Sequence, residues 1–392
     1  MTSRLYVDMH VIQSLPPANA NRDDQGNPKE AIFGGVRRSR VSSQAWKRAT
    51  RKHFDEHAPE ADRATRTKRV RGELTKRIAT STQIGDEQAG RLANALLGQL
   101  GLSQGKKADD TAYLLFYGNA QLDAVTALLT SENTPAELTD AGALALLDDA
   151  TLTEKVKRLP VVETFKRGHP LGVALFGRMV ANLPTLHVDA AVQVAHALST
   201  HETELEFDYF TAVDDRNEKE ETGAGMIGSI GFNSATLYRY ATVGVEQLIA
   251  NLGGDTEAAV NAVTTLVDSF ARSAPTGYQN AFAHRTRPTL IAVVARADQP
   301  VNLVSAFETP VPAQAGISAL SALRLAEEHR EAVRMWGDAP LHTAVSHSFR
   351  AADSHTKDTV EALAGAFGEP VAFPQLLDGL RTRLTTVIEE AQ

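Results

Sequence analysis

Residues 33–52 of this 392-residue chain read FGGVRRSRVSSQAWKRATRK, so that Arg37, Arg38 and Arg40 run into a pair of serines and then into Lys47, Arg48, Arg51 and Lys52. The chemistry open to such a segment is phosphate binding. Lysine supplies a mobile point charge, arginine a planar fork of donors, and glycines or a helix start supply free backbone N–H groups. Basic residues alone read most simply as a solvated helix face. Coupling to Gly34-Gly35 and to Ser42-Ser43 turns the reading toward an anionic ligand.

Other chemistries find less support. Asn21-Arg22-Asp23-Asp24 offers two neighbouring carboxylates, which could serve a metal or general acid-base step. Asn and Asp in a loop usually make turns with their own backbone, and no third carboxylate is close in sequence. His187, His196 and His201, and likewise His342, His347 and His355, lack the HExxH spacing, and the chain has no cysteine to complete a zinc site. Gly223, Gly225, Gly228 and Gly231 spell neither a dinucleotide fingerprint nor a P-loop. The residues imply no metal, no cofactor and no catalytic set.

The elements that must position the basic segment follow from periodicity. Leu5, Val7, Met9 and Val11 alternate with other residues as in a strand with one buried face. Residues 15–30 (LPPANANRDDQGNPKE) are dense in turn formers and predict a long ordered loop. Ser42-Ser43 then cap a helix over about 44–54, with Ala45, Trp46 and Ala49 on one side and Lys47, Arg48, Arg51 and Lys52 on the other. From about 55 to 183 the text turns Ala-, Leu- and Arg-rich, with helical runs at 90–102, 120–130 and 141–147, as in an inserted helical subdomain. Residues 188–199 (VDAAVQVAHALS) have helical spacing. Residues 206–243 predict a long β-hairpin around a Gly-rich middle, 222–231, that places Tyr209, Phe210, Met226, Ile227 and Phe232 where they either stack on bases or form the hairpin's own core. Helices are expected at 245–253, 258–273, 317–336 and the C-terminus, and a buried strand at 289–295.

Composition bounds the rest. A chain of this length exceeds one ordinary core, so two or three units are expected. With 43% hydrophobic and 22% charged residues it reads as soluble and globular, and no stretch reaches the run of about 18 apolar residues that a membrane span needs. Missing cysteines and the absence of a secretory layout at the start point to the cytoplasm. The net charge is −8, yet residues 22–77 carry 16 Lys or Arg against 8 Asp or Glu, a local +8 that leaves the remainder at −16. The basic footprint is N-terminal. An acidic remainder suits a subunit with basic neighbours, and equally an ordinary soluble protein.

Several motifs together resemble one family. NRDD, the run Lys29-Glu30-Ala31-Ile32-Phe33-Gly34-Gly35, the junction Arg40-Val41-Ser42-Ser43-Gln44, Lys47-Arg48-Ala49, Phe210-Thr211-Ala212-Val213-Asp214-Asp215 and Tyr238-Arg239-Tyr240 are similar, in order and spacing, to the CasC (Cse) backbone subunits of type I-E CRISPR Cascade. The resemblance implies an α+β fold: a modified RRM (ferredoxin-like) palm over 1–54 and 184–392, helical fingers over 55–183, and a β-hairpin thumb within 200–243. It implies copies stacked along CRISPR RNA (crRNA), each thumb displacing one base.

By that resemblance Lys29, Ser42, Gln44, Lys47 and Arg51 contact the RNA backbone, Met179 in the Gly177-Arg178-Met179 turn sits against the guide, and Phe210, Thr211 and Ile227 belong to the thumb. The full candidate RNA-contact set adds Arg22, Arg38, Arg40, Ser43 and Arg178. Val36 stands where the family commonly has a basic residue, and Arg37 and Arg38 would compensate. The implied partners are crRNA, target DNA through the guide, further copies of the chain, and the large, small, CasD-like and CasE-like subunits. The implied role is non-catalytic; the alternative is a metal-dependent RNase using Asp23 or Asp24.

Overall fold

The computed structural model describes residues 4–107, 109–132, 134–180, 182–212, 226–313 and 316–391, with Ala61, Ala212, Met226 and Ile227 described by backbone alone. The chain divides into two compact units: Met1–Phe54 with Gln193–Val245 and Val263–Gln392, and Asp55–Val192 with Glu246–Ala262. The helical insert expected over 55–183 thus extends further, and it also takes residues 246–262, which the sequence reading assigns to the palm.

The strands in chain order are β1 (Tyr6–Ala18), β2 (Glu30–Phe33), β3 (Val36–Val41), β4 (Ala64–Thr67), β5 (Leu115–Gly118), β6 (Val192–Val194), β7 (Ala197–Ser199), β8 (Glu206–Ala212), β9 (Met226–Gly244), β10 (Leu290–Arg296) and β11 (His342–His347). The first unit is built on one sheet of order β11-β10-β1-β9-β7-β3-β2, with β8 pairing further out along β9. β6 also pairs β9, and the ladders along the order above and that of β8 with β9 are antiparallel. With helices packed on it, the fold is α+β.

β1 is central, and both its faces are covered. Val7, Met9 and Val11 are buried as expected, but so are Asp8, His10 and Ile12. Ile12 joins Tyr238, Tyr240, Leu290, Leu325, Phe307 and Phe367 in one apolar core. The polar residues of that face are held by specific bonds. The Tyr240 hydroxyl donates to Asp8 Oδ1 at 2.8 Å, the Val301 N–H to Asp8 Oδ2 at 3.0 Å, and His10 Nδ1 lies 2.9 Å from the Tyr238 hydroxyl. Burial, with His329 and Arg296 adding repulsion, pushes the His10 imidazole down to about 3, and burial holds the Asp8 carboxyl above its ordinary range. β1 also runs on into Pro16-Pro17, predicted as loop. The register shifts between Leu15 and Ala18, where proline cannot donate to the ladder.

Residues 188–199 correct the helical expectation: they supply the short strands β6 and β7. Arg40 and Val41 of β3 pair β7 on one side and Tyr238 and Leu237 of β9 pair it on the other, so ladder bonds outweigh the local spacing.

The second unit gathers helices Val70–Thr82, Asp86–Gln99, Asn119–Ala127, Ala141–Leu146, Asp149–Val156 and Val161–Phe165, with the β4–β5 ladder, around a core including Leu74, Leu92, Leu96, Leu122 and Phe165. Asp140 and Asp148 cap two of these helices by accepting the N–H of Ala143 and Thr151, each at 2.7 Å. Among the described residues no helix is long and apolar enough to cross a membrane.

Candidate nucleic-acid interface

The basic segment is positioned by a hairpin and a helix of the first unit. β2 and β3 are joined by Gly34-Gly35 alone, with Phe33 opposite Val36 and φ of +60° and +79° at the glycines. Two successive left-handed residues make the tight turn that matches strand twist, and only glycine enters it freely. A Cβ on Gly34 would also lie 1.6 Å from the Glu308 carbonyl oxygen. The glycine pair therefore serves the turn and the packing, where the sequence suggested donors for a phosphate.

Helix α1 (Ser43–His57) follows β3 directly. Trp46, Thr50 and Phe54 are its buried stripe, and Ala45 packs half-buried against the core around Trp46. The buried Arg239 guanidinium lies 3.7 Å over the Trp46 ring and donates to Gln13 Oε1 at 2.5 Å and to the Phe270 carbonyl, and burial pushes it down to about 9. The Tyr238-Arg239-Tyr240 motif thus anchors α1 and the polar core beneath it. Gln44, Arg48 and Lys52 are exposed, while Lys47 and Arg51 are half-buried.

At the start of α1, Ser42 is the cap: its Oγ accepts the Ala45 N–H at 3.3 Å, and its own N–H donates to Asn21 Oδ1 at 2.8 Å. Ser43 N–H donates to His196 Nδ1 at 2.9 Å, and Ser43 Oγ to Gln44 Oε1 at 3.4 Å. The His196 imidazole is pushed below its ordinary range by partial burial and by the charges of Arg40 and Lys29. Lys29, Arg40, Ser43 and Gln44 are therefore brought together, and His196 joins them. The sequence offers His196 only as a metal ligand, which its spacing does not support; its place between β6 and β7, beside Ser43, is visible only in the structure.

The loop of residues 19–29 carries Arg22 and Lys29 to the same place. Lys29 N–H donates to the Asn21 carbonyl at 2.9 Å, and Arg22 lies 4.7 Å over the Tyr278 ring. Asp23 Oδ1 accepts the N–H groups of Gln25 and Asn27, each at 2.9 Å, so this carboxylate shapes the turn. Among the described residues no group of three or more His, Asp or Glu could hold a metal ion.

Two predicted contacts are corrected. Arg38 is fully buried: Nε donates to the Phe33 carbonyl at 3.2 Å, Nη1 to Ser199 at 3.0 Å, and Nη2 to Phe307 at 2.8 Å and Glu308 at 3.2 Å. It staples the β2–β3 hairpin to β7 and to the turn at Leu303–Phe307. In the second unit, Arg178 is 4% exposed, donates to the Leu186 carbonyl at 3.0 Å and lies 4.7 Å over the Phe165 ring. Burial pushes it down to about 10. Its neighbour Met179 is 79% exposed, so the turn that buries Arg178 presents Met179.

β8 and β9 form the long hairpin, with Phe210 opposite Gly228 and Thr211 opposite Ile227. Phe210 lies across Gly228, where a Cβ would come within 2.4 Å of its ring. Phe207 and Tyr209, 63% and 65% exposed, are the freer aromatics, and the sequence does not single out Phe207 because nothing local distinguishes an outward from an inward aromatic. Of the Gly-rich tip, residues 222–225 lie outside the described residues, as do Val213, Asp214 and Asp215. Asn19 Nδ2 donates to the Gly231 carbonyl at 2.9 Å and so joins the hairpin base to the loop that carries Arg22.

This geometry can hold an anionic strand: charges on a loop, a strand and a helix converge at one helix start, with aromatics on an adjoining ribbon. In comparisons with known proteins, the chain is similar to a chain from a solved structure titled CRISPR RNA-guided surveillance complex, pre-nicking. The identity is 31% and the TM-score 0.79, covering 97% of this chain and 100% of that one. A chain from a second structure, titled CRISPR RNA-guided surveillance complex, is 27% identical with a TM-score of 0.61, covering 96% and 98%. No curated protein matches. The model of one family spans residues 7–372, nearly the whole length described above, and the chain belongs to that family, the CT1975-like proteins.

Proposed function

We propose that this chain is a crRNA-binding backbone subunit of a CRISPR RNA-guided surveillance complex of the type I-E Cascade kind, and that it acts as a scaffold without chemistry of its own. The observation that carries the reading is the convergence of Lys29, Arg40, Ser43 and Gln44 at the start of α1, with Lys47 on its first turns. A cluster of this make-up binds phosphates and leaves bases free, so sequence recognition passes to the RNA and its pairing with target DNA. The first unit is the palm, the second the fingers, and β8–β9 with its tip the thumb. Copies assemble head to tail along the guide, beside the large, small, CasD-like and CasE-like subunits, in the cytoplasm. The Asx-turn role of Asp23 favours the scaffold over an RNase. The test is to purify the protein from its native host without nuclease and sequence the RNA that accompanies it. A population dominated by repeat-derived guides is expected, and bulk cellular RNA without repeat sequence overturns the assignment.

A further inference from the structure

We infer that Tyr278 and the Arg22 guanidinium form a stacking platform for one unpaired base of the bound strand. This deepens the RNA-binding reading above and rests on it. No motif pointed to residues 275–287; the structure does.

The segment is anchored at both ends and exposed in the middle. The buried His284 donates from Nε2 to the Pro275 carbonyl at 2.9 Å, closing the loop, while Thr286 donates to the Ser14 carbonyl at 2.7 Å and accepts from Gln13 Nε2 at 2.9 Å. At Gly277 the backbone comes so close to the loop of residues 19–29 that a Cβ would lie 2.4 Å from the Ala20 carbonyl oxygen. Tyr278 and Ala283 both have φ of +46°, bracketing the single turn Gln279–Phe282. Non-glycine residues in the left-handed region are uncommon and persist where surrounding contacts over-determine them, often at ligand-binding sites.

What these contacts hold out is a flat, polarisable surface. Tyr278 is 37% exposed, with Arg22 4.7 Å over its ring and Phe282 edge-on at 6.4 Å; Phe282 in turn meets Phe232 at the hairpin base at 6.0 Å. Arg22 is itself exposed, as are the amides of Gln279 and Asn280. Single-stranded bases stack on aromatic rings and on guanidinium planes, and amide side chains reach their edges. The platform is continuous with the phosphate-binding cluster, because Asn21, next to Arg22, holds the Ser42 N–H at the start of α1.

The test measures binding of the full chain to a single-stranded RNA and to the same strand with its bases removed and its sugar-phosphate backbone kept. Tyr278→Asn removes the ring while keeping a residue that tolerates positive φ, and Tyr278→Phe keeps the ring. Tyr278→Asn should bind the intact strand about 10-fold more weakly, within the range for losing one stacked base, with an unchanged salt slope and no loss on the abasic strand. Tyr278→Phe should bind the intact strand like wild type. Equal loss on both strands, or no loss on either, overturns the platform. Lys29→Ala with Lys47→Ala, run in parallel, separates the two readings: weaker binding there, without loss in Tyr278→Asn, removes only the platform, while no loss in either removes the RNA-binding reading with it.

Discussion

Arg38 and Arg40 stand two residues apart on one short strand, yet the first is interior and the second belongs to the basic cluster. The Arg38 fork donates to four backbone carbonyls, so it answers to stability. Arg38→Ala should leave buried acceptors unpaired and cost about 3 kcal/mol or more, read as a lower denaturant midpoint, while the fraction that remains folded keeps its salt dependence of RNA binding. Lys29→Ala with Lys47→Ala should do the reverse. The midpoint should hold, and the slope of log affinity against log salt should flatten by about 1.4, at about 0.7 for each phosphate of a single strand that is no longer neutralised. An unchanged slope in that double variant would remove the phosphate-binding assignment. Nothing local in RRSR says which arginine turns inward, so the sequence reading could not separate them; the carbonyls that claim Arg38 come from Ser199 and Phe307, far along the chain.

At the scale of elements, α1 is legible because its signal is local, a serine cap before an amphipathic run, whereas the β2–β3 hairpin is not, because Gly34-Gly35 reads in sequence as a source of backbone donors and shows its turn only once Glu30–Phe33 and Val36–Val41 pair. Gly34→Ala tests that turn. Its Cβ would overlap the Glu308 carbonyl at a left-handed position, so thermal unfolding should drop by several degrees, whereas Gly35→Ala, with open space beside it, should cost only the φ penalty of about 1 kcal/mol. Residues 188–199 carry helical spacing in sequence while their partners, β3 and β9, lie elsewhere in it, so the ladder shows only in the fold. Exposure on the β8–β9 hairpin was equally illegible. There Phe207→Ser with Tyr209→Ser should leave unfolding temperature nearly unchanged, since both rings are exposed, and should weaken assembly on RNA. Assembly equal to wild type would take the thumb role from this hairpin.

The molecule as a whole carries a pH signature of its polar core. His10 is held neutral down to about 3 and His329 down to about 4, both chiefly by burial. The unfolded chain binds these protons near pH 6.5, so between there and the folded values the unfolded state holds more protons, and stability falls as pH falls. Each histidine should contribute a loss of about 2 kcal/mol by pH 5. Asp8, whose carboxyl is raised by burial, has the opposite sign above its ordinary value and softens the lower end of that window. Denaturation midpoints measured from pH 7 to pH 5 should fall steadily. His329→Leu should reduce the steepness by about one proton, and a flat profile would contradict the buried, neutral histidines.

A scaffold along RNA is defined by how many copies one strand holds. Its most direct measurement is native mass spectrometry of the chain on single-stranded RNAs that lengthen in small, even steps. A backbone scaffold should give complexes that gain one copy for each fixed increment of RNA, with the strand intact afterwards. A single copy whatever the length, or RNA cut by the isolated chain, would contradict it.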